Sequence, residues 1–211
     1  KIEIKEFGGP EVLELKNIKI GQPGPKEVLV KNLSIGINYI DTYHRSGLYP
    51  IPLPSGIGLE ACSIIEEIGG DVSLFKVGDR VTRASMPIGT YSEKQIIPED
   101  KLVKVPDNIS DEVASCITLK GITAEYLLHR TYKVKKGDKI LYHAAAGALG
   151  QIFCPWANSL GAEIIGTVGS NEKIEIAKKN GCHHVINYNE KNFVEEVEKI
   201  VGKNGLDVVY D

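Results

Sequence analysis

The alternation of hydrophobic and polar residues divides the chain into two parts of different character. In the first part, short β-type runs are separated by turn sequences rich in Gly and Pro, such as GQPGP and FKVGD. Runs this short and this regularly interrupted are typical of a small antiparallel barrel or sandwich. The predicted strands are EVLELKNIKI (11–20), EVLVKNLSIGI (27–37), ACSIIEEIG (61–69), DRVTRA (79–84) and YSEKQIIP (91–98).

A long helical segment, SDEVASCITLKGITAEYLLHR (110–130), follows these strands. Ser110 is a good N-cap residue, and the next two residues, Asp111 and Glu112, interact favourably with the positive end of a helix dipole. We therefore predict that this helix begins directly after Ser110.

From about Lys136 the pattern changes to strands that alternate with helices, which predicts a parallel sheet with right-handed crossovers. Phe193, Val197, Ile200 and Val201 fall on one helical face. Pro155 lies inside the first of these helices and should kink it or mark a local irregularity. Gly161 and Gly181 are placed where left-handed glycines end helices. The strands are predicted at 138–145, 162–169, 183–188 and 206–210, and the helices at 147–161, 170–181 and 189–205.

The amino-acid composition is that of an ordinary globular protein. The 211 residues are 42% hydrophobic and 25% charged, with a net charge of −3, so no basic excess favours nucleic acid. No apolar run reaches the roughly 18 residues of a membrane helix, and KIEIKEFGG lacks the core of a signal peptide. We expect a reduced, cytoplasmic protein. The alternative for its cysteines is a metal site shared with His183 and His184. The cysteines are Cys62, Cys116, Cys154 and Cys182.

The stretch HAAAGALG (143–150) joins a predicted strand to a predicted helix and is a candidate phosphate-binding turn. Ala145, Gly147 and Gly150 occupy the three small-residue positions of the dinucleotide fingerprint. The free N–H groups at the start of the helix would bind a pyrophosphate. A tight turn without a ligand is the alternative. The expected cofactor-binding residues of this turn are Ala145, Ala146, Gly147, Ala148 and Leu149.

The end of the next strand indicates which dinucleotide binds. NAD-binding folds place an Asp or Glu about 20 residues after the turn, but residues 166–170 read GTVGS. Gly169 and Ser170 leave space and a hydrogen-bond donor. Lys173 brings a positive charge into a first helical turn, where the dipole disfavours it. A bound 2′-phosphate would explain this lysine and predicts NADPH, whereas the alternative is an ordinary solvated lysine.

Several stretches together resemble a known family. The chain is similar to the zinc-free quinone oxidoreductases, the relatives of zeta-crystallin within the medium-chain dehydrogenase/reductase superfamily. The motifs occur in family order over nearly the whole chain. They are GPEVLEL, GINYIDTYHRSGLYP, LPSGIGLEA, KVGDRV, LKGITAEYLL, HAAAGALG, IIGTVGSNEK and VINYNE.

The resemblance implies a GroES-like (chaperonin-10-like), β-rich catalytic domain at residues 1–120. It also implies a Rossmann domain from residue 121, with NADPH in the cleft between the two. Family members have six Rossmann strands where the pattern here predicts four, and the sequence ends within the buried strand GLDVVYD. We therefore expect residues 121–211 to be a partial Rossmann domain, with an unpaired edge prone to aggregation. The full-length protein would form a homodimer through the missing edge.

The same resemblance bears on metal binding. Zinc-dependent relatives have a cysteine at the place of Asn38 and a His–Glu pair at the place of Leu59 and Glu60. Asn and Leu do not suit Zn²⁺, which prefers thiolate, imidazole or carboxylate ligands. We therefore predict no metal and no Lewis acid, and an acceptor that is electrophilic by itself, a quinone or an enone. Leu59 predicts a narrow, apolar acceptor pocket.

Such a reaction needs a stacked acceptor and donors to the developing oxyanion. Tyr43 and Tyr49 could instead be packing aromatics, and Arg45 a surface ion-pair residue. By resemblance, Asp41 makes hydrogen bonds within its loop and is neither acid nor base. The catalytic candidates are Asn38, Asp41, Tyr43, Arg45 and Tyr49. The residues that the resemblance places along the nicotinamide and its ribose are Tyr39, Ile40, Asp41, Thr42, Tyr43 and Thr123, with Tyr188 over the 2′-phosphate.

The predicted function is therefore NADPH-dependent reduction of quinones or related enones by hydride transfer. A non-enzymatic role, as an AU-rich RNA-binding or crystallin-like structural protein, is the alternative that the resemblance also implies. A third possibility is an inactive fragment. The net charge and the lack of a basic, aromatic sheet favour the enzyme over RNA binding.

Overall fold

The computed structural model describes residues 1–211. The chain divides into two compact units, Lys1–Leu119 and Lys120–Asp211. None of the helices combines the length and the apolar character needed to span a membrane.

The first unit contains two antiparallel sheets. A three-stranded sheet has the order β2-β1-β4, and a five-stranded sheet has the order β7-β3-β5-β6-β8. The core of the larger sheet is aliphatic and includes Val30, Ile65 and Ile97, all nearly inaccessible to solvent. The strands are β1 (Ile2–Ile4), β2 (Glu14–Leu15), β3 (Glu27–Gly36), β4 (Ser55–Gly56), β5 (Glu60–Ile68), β6 (Arg80–Ala84), β7 (Lys94–Pro98) and β8 (Val103–Lys104).

Two helices and two short 3₁₀ turns accompany these strands. Helix α1 spans Tyr39–Ser46, and α2 spans Asp111–Tyr126 and runs from the first unit into the second. As predicted, Ser110 caps α2: its Oγ accepts a hydrogen bond from the Val113 N–H at 3.3 Å. The α-helix ends earlier than expected, and a single π-helical turn follows it at Leu127–Thr131. The 3₁₀ turns are Pro10–Val12 and Glu99–Lys101.

Two predictions for this unit were wrong. The strand expected at 11–20 forms only at Glu14–Leu15. Pro10, at its favoured first position, starts a 3₁₀ turn that ends at Val12, and residues 16–20 have no regular secondary structure. The segment that contains Asp41, taken as a loop, is helix α1. It begins with a hydrogen bond from the Asn38 N–H to Asp41 and ends at Gly47, whose φ of 82° is left-handed.

The second unit confirms the predicted alternation of strands and helices, with differences of a few residues at the ends. Its four strands are parallel and lie in the order β11-β10-β9-β12, which is the 3-2-1-4 order of a Rossmann fold. The elements are β9 (Lys139–Tyr142), α3 (Gly150–Ser159), β10 (Glu163–Val168), α4 (Glu172–Lys179), β11 (His184–Asn187), α5 (Phe193–Val201) and β12 (Val208–Tyr210).

The sheet of this unit has a core on each face. Helix α3 packs on one face, where Phe153 stacks on Tyr142 with ring centroids 4.4 Å apart. Helix α5 packs on the other, and its predicted apolar stripe surrounds Val197. Gly161 and Gly181 have left-handed φ values of 86° and 89°, as predicted. Pro155 lies on the exposed side of α3, which continues through it.

Candidate functional site

The turn His143–Leu149 connects β9 to α3 at the carboxyl end of the parallel sheet. The His143 N–H donates to the Tyr210 carbonyl at 2.9 Å, and the Ala145 N–H donates to the Thr167 carbonyl at 3.0 Å. The turn is therefore tied to both neighbouring strands, β12 and β10. This is the point where the strand order reverses, the usual nucleotide position in such sheets.

Close packing explains the small residues of the turn. A β-carbon on Gly150 would lie 2.4 Å from the Ala145 carbonyl oxygen, and one on Gly166 would lie 2.6 Å from the Ala145 β-carbon. The backbone of Ala145 itself is not left-handed, which is why alanine is tolerated at the first fingerprint position. Ala144, at φ 55°, is the residue that carries the left-handed conformation.

The backbone donors of the turn fit an anion. Neither Ala148 nor Leu149 uses its N–H for a hydrogen bond within the protein, and both groups lie at the start of α3. The Gly147 N–H, expected to face the pyrophosphate, instead donates to the Ala144 carbonyl at 2.7 Å. Two free donors at a helix N-terminus are suited to a phosphate group.

The residues expected to bind the 2′-phosphate of the ribose lie at and after the end of β10. Tyr188 lies over Gly169, since a β-carbon there would come within 2.6 Å of the phenol oxygen. Ser170 follows, and Lys173 lies in the first turn of α4. The Lys173 side chain is exposed and forms no ion pair. Its ammonium group is therefore available to an anion.

A network of asparagines fixes this strand end, and sequence reasoning missed it. Asn187 donates through Nδ2 to Asn171 Oδ1 at 2.9 Å, and Asn189 donates through Nδ2 to the Gly169 carbonyl at 2.7 Å. Asn171 also donates through Nδ2 to Oε1 of the Glu190 carboxylate. The Asn-rich run after β11 was the available signal, because Asn side chains commonly bind turn backbone.

In the first unit, Asp41 links α1 to the strand region. Its Oδ2 accepts hydrogen bonds from the Asn38 N–H at 2.9 Å and from the Tyr91 hydroxyl at 2.8 Å. Only 4% of Asp41 is exposed. Burial raises the pKa of this carboxyl, although both hydrogen bonds act in the opposite direction. Burial, followed by the bond to Asp41, also raises the pKa of Tyr91.

Asn38 has a buried carboxylate partner. Its Nδ2 donates to Glu60 Oε2 at 2.9 Å, and Glu60 Oε1 accepts from the Leu119 N–H at 2.7 Å. Glu60 is completely buried, and Leu59 is buried beside it in sequence. The structure contains no cluster of three or more His, Cys, Asp or Glu side chains arranged to hold a metal ion. At the position where the resemblance places the metal in zinc-dependent relatives, the side chains of Asn38 and Glu60 thus form an amide–carboxylate pair.

The tyrosines predicted to meet the acceptor, Tyr43 and Tyr49, form a continuous group on and after α1 with Tyr39, which was predicted to lie along the nicotinamide. The rings of Tyr39 and Tyr43 are 5.3 Å apart and nearly perpendicular, and those of Tyr43 and Tyr49 are 5.2 Å apart. Tyr39 is 76% exposed and Tyr49 is 51% exposed, so this group offers an aromatic surface to a flat ligand.

The other predicted residues lie apart from that surface or support it. Arg45 donates through Nε to the Gly8 carbonyl at 3.2 Å, so part of its guanidinium anchors the N-terminal segment. Thr42 donates through Oγ1 to the Tyr39 carbonyl at 2.6 Å. Ile40 is half-buried on α1, and Thr123 lies on α2.

Comparison with known proteins identifies the family. Residues 24–107 match the alcohol dehydrogenase GroES-like domain, and residues 148–211 match the zinc-binding dehydrogenase domain. The chain belongs to the medium-chain dehydrogenase/reductase superfamily. This confirms the predicted GroES-like and Rossmann folds. Asn38 and Leu59 occupy the positions at which the family resemblance places two zinc ligands in the zinc-dependent relatives.

Individual relatives place the chain within this superfamily. It is 47% identical to a quinone oxidoreductase of Pseudomonas aeruginosa, over all of this chain and 65% of the relative. It is 48% identical to a 2-haloacrylate reductase of Burkholderia sp, over 99% of this chain and 64% of the relative.

A solved structure gives the same result. The Escherichia coli quinone oxidoreductase complexed with NADPH is 47% identical and superposes with a TM-score of 0.96. That match covers 100% of this chain and 65% of the other. The chain therefore spans about two thirds of the length of these medium-chain dehydrogenase/reductase relatives.

Proposed function

We propose that the protein reduces quinones or related electrophilic enones with NADPH, by hydride transfer and without a metal. The observation that carries this proposal is the end of β10, where a free Lys173 and a glycine under Tyr188 stand in place of an NAD-type carboxylate. The similarity to a quinone oxidoreductase complexed with NADPH supports it.

The second unit would hold the cofactor. The free N–H groups of Ala148 and Leu149 would bind the pyrophosphate, which Ala145, Ala146 and Gly147 would approach closely. Lys173 and Ser170 would bind the 2′-phosphate beside Gly169, with Tyr188 over it. When bound, the nicotinamide supplies the hydride. Because a 2′-phosphate carries more negative charge than a 2′-hydroxyl, the Lys173 ammonium favours NADPH over NADH.

The first unit would bind the acceptor. The exposed rings of Tyr39 and Tyr49, with Tyr43 between them, suit a flat quinone. The tyrosine hydroxyls, and the guanidinium nitrogens of Arg45 not used on Gly8, would donate to the oxygen that becomes negative. By the family resemblance, Ile40 and Thr42 of this unit, and Thr123 of the second unit, would serve the nicotinamide half of the cofactor.

Asn38 and Asp41 have supporting roles in this scheme. The Asn38 amide is held by the buried Glu60, which leaves it less free to reach an acceptor than a tyrosine hydroxyl. Asp41 accepts from Asn38 and Tyr91 and fixes the start of α1. It acts as a structural acceptor, not as an acid or base.

The acceptor class follows from the chemistry of this surface. A quinone, or an alkene conjugated to an electron-withdrawing group, accepts a hydride without a Lewis acid. One relative is named for quinones and another for 2-haloacrylate, and both names denote such conjugated acceptors. The proposal also includes homodimerisation through the edge of the Rossmann sheet, which light scattering tests. It includes a cytoplasmic location, which cell fractionation tests.

The experiment measures cofactor oxidation by the purified full-length protein with a benzoquinone, a conjugated enone and a saturated ketone. Turnover with the first two and none with the ketone is expected, with NADPH preferred over NADH. Tyr49→Phe should lower kcat/KM for the quinone, since it removes a donor and keeps the ring. Turnover of the ketone alone, or a protein that shifts AU-rich RNA in a gel and oxidises no cofactor, would contradict the proposal.

A further inference from the structure

The imidazole of His143 lies at the start of the phosphate turn, directly after β9. Its ring is half-buried and meets the ring of Phe193, the first residue of α5, nearly edge-on, with the centroids 5.2 Å apart. Leu141, two residues earlier on β9, belongs to the core under α5. The His143 side chain therefore lies on the α5 face of the sheet, beyond the core and at the carboxyl end of the strand.

One ring nitrogen of His143 is bound by a buried hydroxyl group. Nδ1 lies 2.9 Å from Thr167 Oγ1, and Thr167 is completely buried. A neutral imidazole donates from one nitrogen and accepts at the other, whereas a hydroxyl can do either. If Nδ1 carried the proton, the hydroxyl hydrogen of Thr167 would be buried without an acceptor, which is costly. The hydroxyl therefore donates to Nδ1, and the imidazole carries its proton on Nε2.

The other ring nitrogen of His143 is open to a ligand. Nε2 makes no hydrogen bond within the protein and is in contact with solvent. Its partner on the ring, Nδ1, is held by Thr167, and Phe193 packs against the ring. The Nε2–H group is thus a donor whose direction is fixed before any ligand arrives, which lowers the ordering cost of binding.

The position of this donor is that of a nucleotide site. Strand β9 lies between β10 and β12, where the strand order reverses, and nucleotides bind outside the carboxyl ends of strands at such a point. The free N–H groups of Ala148 and Leu149 lie at the end of the same turn that begins with His143. The turn therefore carries free donors at both of its ends.

We propose that His143 is a cofactor-binding residue, whose Nε2–H donates to a pyrophosphate oxygen of the dinucleotide while the Thr167 hydroxyl fixes its tautomer. The inference rests on the proposed function, because it requires a bound dinucleotide. A hydrogen bond to an ionised phosphate is stronger than one between neutral groups. Since NADPH and NADH share the pyrophosphate, His143 contributes equally to both, whereas Lys173 discriminates between them.

Two substitutions separate the contact with the cofactor from the bond to Thr167. His143→Asn keeps an acceptor near the place of Nδ1 but has no donor as far out as Nε2. His143→Gln places an amide N–H near Nε2 and gives up the bond to Thr167. We expect His143→Asn to raise the dissociation constants of NADPH and NADH alike, by about tenfold to a hundredfold. His143→Gln should stay within about threefold of wild type.

The matched control is His184→Gln. The His184 imidazole lies 3.1 Å from Glu163 Oε1, at the amino end of the sheet and away from the phosphate turn, so both dissociation constants should stay at the wild-type values. Wild-type affinity in His143→Asn, equal losses in His143→Asn and His143→Gln, or a loss for NADPH alone would each overturn the proposal.

A spectroscopic measurement tests the same contact in the wild-type protein without turnover. In the full-length protein, ¹⁵N NMR of the His143 ring, assigned by its loss in His143→Asn, should show the proton on Nε2. Addition of NADPH should shift the Nε2 signal more than the Nδ1 signal. A proton on Nδ1, or an unchanged Nε2 signal, would overturn the proposal. A protein that binds NADPH but reduces no quinone refutes the proposed function alone, whereas one that binds neither cofactor refutes both.

Discussion

The phenol of Tyr188 covers the backbone of Gly169, so that a β-carbon at residue 169 would come within 2.6 Å of its oxygen. The contact joins the ends of two adjacent strands, β10 and β11. Because Asn189 also holds the Gly169 carbonyl, the backbone that precedes Ser170 and Lys173 is fixed from two sides. A preformed strand end of this kind reduces the ordering cost of binding a phosphate.

Replacement of Lys173 by alanine should weaken NADPH binding by roughly tenfold to a hundredfold, because a hydrogen bond to a charged group contributes about 1.5–3 kcal/mol. NADH binding should change little, since NADH has no 2′-phosphate. The dissociation constants of both cofactors for wild type and variant measure this effect. Lys179→Ala, an exposed lysine at the other end of α4, is the matched control. Equal losses for NADPH and NADH would contradict the assignment.

Gly150→Ala should both destabilise the protein and weaken NADPH binding, because the new β-carbon would lie 2.4 Å from the Ala145 carbonyl oxygen. Overpacking of this kind costs about 1–3 kcal/mol in the free energy of unfolding. Urea denaturation and cofactor titration measure the two effects. Gly70→Ala is the control, because a β-carbon on Gly70 would meet no atom within 4 Å. Its free energy of unfolding should stay within about 0.5 kcal/mol of the wild-type value. A stable Gly150→Ala protein with normal NADPH affinity would refute the packing argument.

Glu99 should stabilise the first unit only while it is ionised. Its Oε2 accepts hydrogen bonds from the Leu74 N–H at 2.8 Å and the Ser73 N–H at 2.9 Å, and these lower its pKa from the ordinary 4.5. A lowered carboxyl pKa contributes stability above the unfolded value and loses it as the pH falls through the folded value.

Glu99→Gln should therefore have a lower urea midpoint than wild type at about pH 7, and the difference should shrink below about pH 4. Asp100→Asn, on the neighbouring exposed residue, should show a much smaller difference. A gap between Glu99→Gln and wild type that is the same at both pH values would mean that the charge is not responsible.

The purified full-length protein should contain substoichiometric zinc, and a chelator should leave quinone reduction unchanged. The physical reason is the pair formed by Asn38 and Glu60. The Asn38 amide stands where zinc-dependent relatives have a thiolate ligand, and it already donates a hydrogen bond to the Glu60 carboxylate. Elemental analysis by mass spectrometry measures the metal content. One tightly bound zinc per chain, lost together with activity, would show that the protein uses a metal.

Sequence reasoning succeeded where the information is local. Buried parallel strands read as short apolar runs, and glycines such as Gly161 and Gly181 mark helix ends, so the second unit was predicted nearly element by element. It failed for α1, whose tyrosines, isoleucine and threonine favour strands in isolation. The capping pair of Asn38 and Asp41, three residues apart, was the overlooked signal.

The polar contacts of the candidate site could not be derived from local pattern. The bonds of Asn38 to Glu60 and of Tyr91 to Asp41 join residues far apart in sequence. They depend on how β5 and the segment before β7 are placed relative to α1, which periodicity does not encode. The available N–H groups of the phosphate turn were also only partly foreseen, because the Gly147 donor is used inside the turn.

The hydrogen bond from the His143 N–H to the Tyr210 carbonyl has a consequence for synthesis on the ribosome. The phosphate turn lies early in the second unit, but one of its two anchors is in the last strand, β12. A nascent chain that has emerged only as far as β11 can pair β9 with β10, yet it leaves His143 without this partner. Capture of the cofactor by the growing polypeptide should therefore wait until Tyr210 has left the exit tunnel.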